Sequence, residues 1–510
     1  MKRIISFVLV CVLLMGLCAC NNAAAPETTE ATDAVVRDPN MPKKLYAADL
    51  AAIPLATNDM TKEELRQLCL DFFALQLSFQ WKTDMDFSFP KTYSGSGDKT
   101  ISKDNIYGGI VYQSGGFSNI YRWLEYYDEE TGIMPMSVAL AENGGYGEGA
   151  VLTDVEVDDF SGLTTYYKYR SMMAMGNQCT SSSSWSWGRV INSVCFGNTC
   201  DINVYNGFIP VGCYTYGYEH EGVTYDALTI QDLGEESSSN PLGYDTEDVI
   251  KDWNKANGAD AMYKCYALLK PGDCVVNGGH AMMAKKVNLF VSSDGSVNYD
   301  LSTLEVNEQT EGWGIKDNQG DHMVYQQGAV GKSYTFQQLQ NAEYIPFTFP
   351  ELLDENNEQD KKHLEYYMSY VDKLESRDVR YQVFTEARQK CGNAVEATEV
   401  YCTYKGDTIR YEDFAAMTVG ANYSISDVFV TVTDSAGQEL LKNIYRATGT
   451  NYREVSMNYG KSTWETDADG NRIPISDGVE ALADGSNVIE VTMQLSTGEL
   501  VTAYKGTLTK

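Results

Sequence analysis

GNQCTSSSSWSWGRV, residues 176–190, decides how the chain is read. Serines fill positions 181–184 between Cys179-Thr180 and the bulky Trp185, Trp187 and Arg189. A flexible linker is rich in serine but lacks large side chains, so the tryptophans and the arginine argue against one. Read as a helix that begins at Cys179, the same stretch puts a thiol where free backbone N–H groups and the helix dipole favour its anion. Serines in the first turns then cap the helix and leave room beside the sulfur.

A thiol of this kind needs a base. The sequence holds four histidines, His220, His280, His322 and His363. His363 sits in the charged helical run ELLDENNEQDKKHLEYYMSYVDKLES (351–376) and reads as solvated, while His220 lies in the polar turn YEHEGV (218–223). His280 is different. It opens the apolar strand HAMMAKKV directly after Gly278-Gly279, which allow the backbone a close approach to another element. Cys179 and His280 are therefore the expected pair, a thiolate and an imidazolium competent for acyl transfer.

The rest of the chain organises around this pair. Thr61 with Glu64 forms a capping box ahead of LRQLCLDFFALQLSF, a helix by periodicity. Residues 83–120 read as loops and short strands, and 195–245 as an irregular insertion with short strands. TEDVIKDWNKANGA (246–259) reads as a helix, LLKPGDCVV as a strand after a Pro-Gly-Asp turn, and SSDG (292–295) as a hairpin. Beyond residue 393, short alternating runs such as SDVFVTVTD and SNVIEVTMQLS, with turns at Asp469-Gly470 and Asp484-Gly485, indicate an all-β sandwich of immunoglobulin type. The fold class expected is thus α+β, a helix-plus-antiparallel-sheet domain followed by that sandwich.

Composition narrows function. A net charge of −32 opposes binding to nucleic acid, because phosphates are repelled. The N-terminus, MKRIISFVLVCVLLMGLCAC, has the basic start, apolar run and small residues of a secretory signal. Its Leu-Cys-Ala-Cys end resembles the bacterial lipobox, which implies that Cys20 is lipidated and that the protein stands on the outer face of the cell membrane, held through lipid alone, or is secreted. The expected divisions are a signal peptide at 1–19, a tether at 20–45, the main domain at 46–350, a helical connector at 351–392 and the sandwich at 393–510. Beyond Cys20 nine cysteines follow, without a CxxC spacing that would suggest structural zinc.

GNQCTSSSSWSWGRV resembles the cysteine motif of CHAP domains, the cysteine- and histidine-dependent amidohydrolases and peptidases. DWNKANGA, LKPGD and GGHAMMAKKV resemble the middle of that family, and LEVNEQT (304–310) its last motif. YGGIVYQSGG (107–116) is similar to the glycine-rich loop of NlpC-type cell-wall peptidases, which share the papain-like layout. The insertion between Cys179 and His280 and the early position of Tyr112 depart from the pattern. The resemblance implies a papain-like (NlpC/CHAP-type) domain that cleaves peptide or amide bonds, in peptidoglycan or another peptide substrate, without metal or cofactor. Cys179 is its nucleophile, His280 its base and then acid, and Glu308 the group that orients His280. Strand register decides between Glu308 and its neighbours Asn307 and Gln309. Gln178, Tyr112 and Trp185 are expected at the oxyanion or substrate side, although the tryptophans also suit a core.

Overall fold

The computed structural model describes residues 45–57, 59–89, 99–112, 120–139, 176–190, 208–212, 218–220, 223–225, 252, 255–310, 316–319, 322–375, 398, 400–410, 414, 417–421, 425–446, 454–456, 487–495 and 498–509. The chain is α+β. Its largest sheet has six strands in the order Gly328–Thr335, Val297–Gln309, His280–Val291, Cys274–Asn277, Ile345–Thr348 and Ile209–Pro210, every neighbouring pair antiparallel. The two longest strands form a hairpin over SSDG, closed by Ser292 N–H donating to Ser296 O (2.8 Å) with Gly295 at φ +86°. That left-handed position suits glycine, which has no Cβ to clash.

The helix Lys62–Ser78 starts at the expected capping box: Glu64 N donates to Thr61 Oγ1 (3.2 Å) and Thr61 N to the Glu64 carboxylate (2.7 Å). It buries Leu65, Cys69, Phe73 and Leu77 in the sheet's core. The helix Cys179–Trp187 packs against both this helix and the His280 strand. All five serines of that helix are buried, and Ser183 and Ser186 return their hydroxyls to the carbonyls of Cys179 (2.8 Å) and Ser182 (2.7 Å). Such i−4 bonds satisfy a hydroxyl where no solvent reaches it. The serine run is packing: short side chains let a helix be enclosed on every side.

A second sheet lies beside it, ordered Lys316–Gln319, His322–Gln326, Ile106–Gly108, Gln80–Thr83 and Ile133–Met134. It is mixed, with His322–Gln326 parallel to Ile106–Gly108 and Gln80–Thr83 parallel to Ile133–Met134. Its aromatic core stacks Trp81 on Tyr107 at 4.9 Å and sets Trp123 edge-on to Trp81 at 5.1 Å. Trp185 belongs to this core and Trp187 to the first. Two tryptophans separated by one serine therefore enter different cores, and the Cys179 helix is the wall the two share. Trp185 is 1 % exposed and does not line a substrate surface, which corrects the expectation of a ligand-side role; a ring of that size gains more from full burial.

Toward the C-terminus, one sheet runs Val400–Cys402, Thr418–Ala421, Glu454–Ser456, and another Thr408–Arg410, Leu500–Thr509, Asn487–Leu495, Ile425–Thr433, Glu439–Arg446. Both contribute to a single apolar core of Cys402, Val419, Val430, Val491 and neighbours. Thr408–Arg410 pairs parallel with Leu500–Thr509 while the other described pairs are antiparallel. The turns expected at Asp469-Gly470 and Asp484-Gly485 lie outside the described residues, as do residues 1–44 with Cys20, most of the helix expected at 246–259, and Cys195, Cys200, Cys213 and Cys391. Of that stretch, the described residues 252 and 255–257 are helical, and after Gly258 a further helix runs Ala259–Tyr266. His220 lies in a two-stranded hairpin, Tyr218–His220 with Val223–Tyr225, rather than in a turn.

His363 is not solvated. It is 2 % exposed on the helix Glu358–Glu375, accepting from Gly212 N–H at Nε2 (2.8 Å) and lying 2.9 Å from Gln359 O at Nδ1. Its face also carries Asp360, paired with Lys270, and Tyr366 and Tyr367, all buried, while Glu358, Lys361, Lys362 and Glu365 are exposed on the other faces.

Candidate functional site

Cys179 is the first residue of its helix, after Gln178 in extended conformation (φ −116°, ψ 175°). The approach to that helix start is tied down by several strands of chain. Asn177 N donates to Val111 O (2.9 Å), Tyr112 bridges Asn177 in parallel, and Tyr112 N donates to Gln327 Oε1 (3.1 Å). The structure thus brings Tyr112 beside the helix start despite its distance in sequence. Gln178 N donates to Ser181 Oγ (2.9 Å), and Gln178 itself is half-buried.

Two buried glutamines hold the helix. Gln76 Nε2 donates to Ser182 O (3.1 Å) and Ser186 Oγ (2.9 Å), while Gln309 Nε2 donates to Ile110 O (2.7 Å) and its Oε1 accepts from Ser182 Oγ. Gln309, one of the alternatives for orienting the histidine, is used here instead. Nothing in the sequence singled out Gln76; its signal is a polar residue on the apolar face shared by Phe72 and Phe73.

His280 begins its strand after a turn capped by Asn277, whose Oδ1 accepts from Gly279 N (3.0 Å) and His280 N (2.8 Å). The pairing of this strand with Val297–Gln309 begins only at Met283↔Asn307. Cys179 lies against this end of the strand, which pairs only with Cys274–Asn277 on its other side. Its sulfur is hydrogen-bonded to His280 and to the backbone N–H groups of Ala281 and Thr180. Burial would push the thiol up, but the hydrogen bond and charge of His280, with those two N–H groups, bring it below its ordinary range. Burial likewise pulls the imidazole down, yet its bonds to Cys179 and Glu308 raise it to about 9. The pair accordingly favours thiolate and imidazolium.

Glu308 meets the other side of the ring. His280 Nε2 lies 3.3 Å from Glu308 Oε2. Glu308 is itself fully buried and takes two shorter bonds, from Lys332 Nζ to Oε1 (2.6 Å) and from Tyr334 OH to Oε2 (2.8 Å). Burial disfavours its charge, and the bonds from His280 and Lys332 outweigh that and hold its carboxyl below the usual range. Asn307, the other alternative, accepts from Gly331 N (3.1 Å) and does not orient the imidazole. Tyr344 presents an edge to the His280 ring with centroids 6.5 Å apart. Its phenol is pushed up chiefly by burial, with the negative charges of Glu308 and Cys179 nearby adding to this, so it stays neutral. Lys332, Tyr334 and Tyr344 escaped the sequence reading, since each reaches the site through pairing of distant strands.

The other acid beside a glycine turn, Asp273, does different work. Lys270 N donates to its Oδ2 (2.7 Å), and its Oδ1 takes Arg66 Nη1 (2.8 Å) and Thr348 Oγ1 (2.5 Å). Arg66 also reaches the carbonyls of Pro271 and Leu352, so this ion pair closes the helix Lys62–Ser78 onto the sheet. Cys69, Cys179, Cys265, Cys274 and Cys402 are free thiols, all buried. Of these, Cys69 is pushed to about 12 and Cys274 well upward, in both cases chiefly by burial. Among the described residues no cluster of His, Cys, Asp and Glu could hold a metal ion, and no helix is long and apolar enough to cross a membrane.

An arrangement in which a buried thiol with a lowered affinity for its proton touches an imidazole with a raised one can form a covalent bond to an electrophilic carbonyl. Comparison of the chain with protein-family models, with curated proteins and with solved structures finds no match.

Proposed function

We propose that the chain is a papain-like cysteine hydrolase of the CHAP/NlpC kind, exported and lipid-anchored through Cys20, that cleaves amide or peptide bonds in peptidoglycan. The observation that carries the reading is the chain of contacts Cys179–His280–Glu308, with the thiol at a helix N-terminus and the carboxylate buried. Support for the substrate and the location comes from the order of the sequence motifs and from the lipobox-like end of the N-terminal segment.

In the reaction, the Cys179 sulfur bonds to the carbonyl carbon and the carbonyl π electrons move onto oxygen. That oxyanion faces the Cys179 N–H, a first-turn donor without an intrahelical acceptor, and the Gln178 side chain at the same turn. His280 then passes its proton to the amine nitrogen as the C–N bond breaks, leaving a thioester. Water attacks the thioester, His280 takes the water's proton, and the thiolate departs. Glu308 keeps the imidazole oriented and its cation stabilised throughout. Tyr112, beside the helix start, and Tyr344, edge-on to His280, border the place where the acyl group sits.

The test uses the chain lacking residues 1–20, incubated with purified peptidoglycan and, separately, with casein. New amino termini from peptidoglycan, lost in Cys179→Ala and in His280→Ala, are expected. Cleavage of casein alone would make the protein an extracellular peptidase. If neither is cut, and an alkylating probe modifies Cys179 no faster than Cys402, the reading is a non-catalytic binding module.

A further inference from the structure

The strand Gly328–Thr335 pairs with Val297–Gln309 in a register that changes once. Glu308 opposes Ala329 and Asn307 opposes Val330, but Val306 opposes Lys332, and Leu304 opposes Tyr334. Gly331 is the extra residue. It stands at φ +75°, a left-handed position, and its N–H is bonded by the Asn307 side chain rather than by the opposite backbone. This is a β-bulge, and its consequence follows from the two-residue period of a strand. Opposed residues share a face, and so do residues two apart. Val306 and Glu308 share one face, so the partners of both must lie on it too. Were Gly331 paired with Val306 in a regular ladder, Lys332 would oppose Glu305 on the reverse face and Tyr334 would oppose Thr303. Because Gly331 is bulged out and not paired, Lys332 and Tyr334 lie on the face of Glu308, where they make its two shortest contacts.

From this geometry we infer that the Gly331 bulge, sealed by Asn307, makes Lys332 and Tyr334 positioning residues for the Cys179–His280 pair, Lys332 acting through Glu308 to set the pH range in which that pair is charged. Glu308 Oε2 divides its acceptance between Tyr334 and His280, and the contact to His280 is the longer, at 3.3 Å against 2.8 Å. Lys332 holds Oε1, and its ammonium also lies 4.8 Å over the Tyr334 ring, which limits where it can swing. The charged and titratable groups that face this array are Cys179 on its helix, His280 and Glu308 on the central strands, Lys332 and Tyr334 beyond the bulge, and Tyr344 after the helix Phe336–Asn341. Lys332 supplies a cation at the edge of this group, its side chain 43 % exposed, and stabilises the Glu308 carboxylate against protonation.

The inference rests on the proposed Cys–His site, but its readout needs no substrate. The probe is iodoacetamide, and the signal is the alkylation rate of Cys179 followed peptide by peptide across pH in the full chain lacking residues 1–20. Removing the cation in Lys332→Met is expected to shift the acid limb of the profile upward by about half a pH unit or more, with roughly threefold slower alkylation below the limb. Lys332→Arg, which keeps the charge, should restore the limb. Lys286→Met, which removes an exposed lysine from the His280 strand, should leave it in place. A residue that merely held the fold would slow alkylation equally at every pH. A folded Lys332→Met protein whose acid limb stays at the wild-type position overturns the inference, whether or not a hydrolysed substrate has been found. Failure to find a substrate, with the limb shifted, refutes the proposed function alone.

Discussion

Two ionic networks among the described residues, Arg66 with Asp273 and His280 with Glu308, differ in what they leave open. Arg66 and Asp273 are closed on every side: 4 % and 3 % of their side chains are exposed, and each reaches three or more polar partners. His280 and Glu308 are unequal, with 19 % of the imidazole exposed against 1 % of the carboxylate. The first network has no open edge, and its bonds run to backbone carbonyls and a buried threonine, so it holds chain together. In the second, one member titrates, touches a thiol and keeps an open edge. Burial of charge alone therefore does not mark a reactive site; a titratable member with an open side does.

That contrast can be broken in either direction. The largest effect is expected on hydrolysis: Cys179→Ala should abolish it and His280→Ala should lower it by roughly 10²–10⁴-fold, each measured on protein shown to be folded. Should either variant retain near wild-type turnover, the open network is not the reactive one. Next comes Arg66→Ala, which leaves the Asp273 carboxylate buried and unpaired. It should cost about 3–5 kcal/mol in chemical denaturation. The alkylation profile of Cys179 in the protein that remains folded should not move. A cost below about 1 kcal/mol would show that the closed network is not structural.

Glu308→Gln keeps shape and removes charge. Turnover should fall roughly ten- to hundredfold. Because Glu308 is one of the groups that raise His280 to about 9, the alkaline limb of activity should move to lower pH. An unmoved alkaline limb would separate Glu308 from the imidazole.

The smallest effect compares the two buried histidines by stability. The folded value of His280 is raised, so its contribution is complete below the unfolded value near 6.5 and is lost as pH rises through about 9. That of His363 is lowered, chiefly by burial, so its contribution is complete above that unfolded value and is lost as pH falls below it. His363→Gln should therefore flatten the acid-side decline of the thermal midpoint by about a degree or two. An unchanged slope would mean that His363 does not titrate on unfolding.

Local chemistry made part of this legible. The capping box at Thr61, the Asp-Gly turn and the two glycines before His280 act within a few residues, so the elements they begin or end could be read directly. The identity of the acid could not, because Glu308, Asn307 and Gln309 are adjacent and all buried, and their roles follow from contacts with Lys332, Gly331 and Ser182. Gln76 and Arg66 read as polar positions on a helix; only distant partners give them reason to be buried. His363 was hidden by its charged neighbours, although Tyr366 and Tyr367, three and four residues on, lie on its face. The serines after Cys179 were legible as helix and illegible as core, since nothing local shows that two separate cores enclose them.

The most direct test of the Cys179–His280 pair is alkylation at pH 6, followed peptide by peptide in the wild-type chain and in His280→Ala. Cys179 is expected to react at least tenfold faster than Cys69, Cys265, Cys274 and Cys402, and to lose that advantage when the imidazole is gone. Equal rates for Cys179 with and without His280 would contradict the pairing on which the reading of this protein depends.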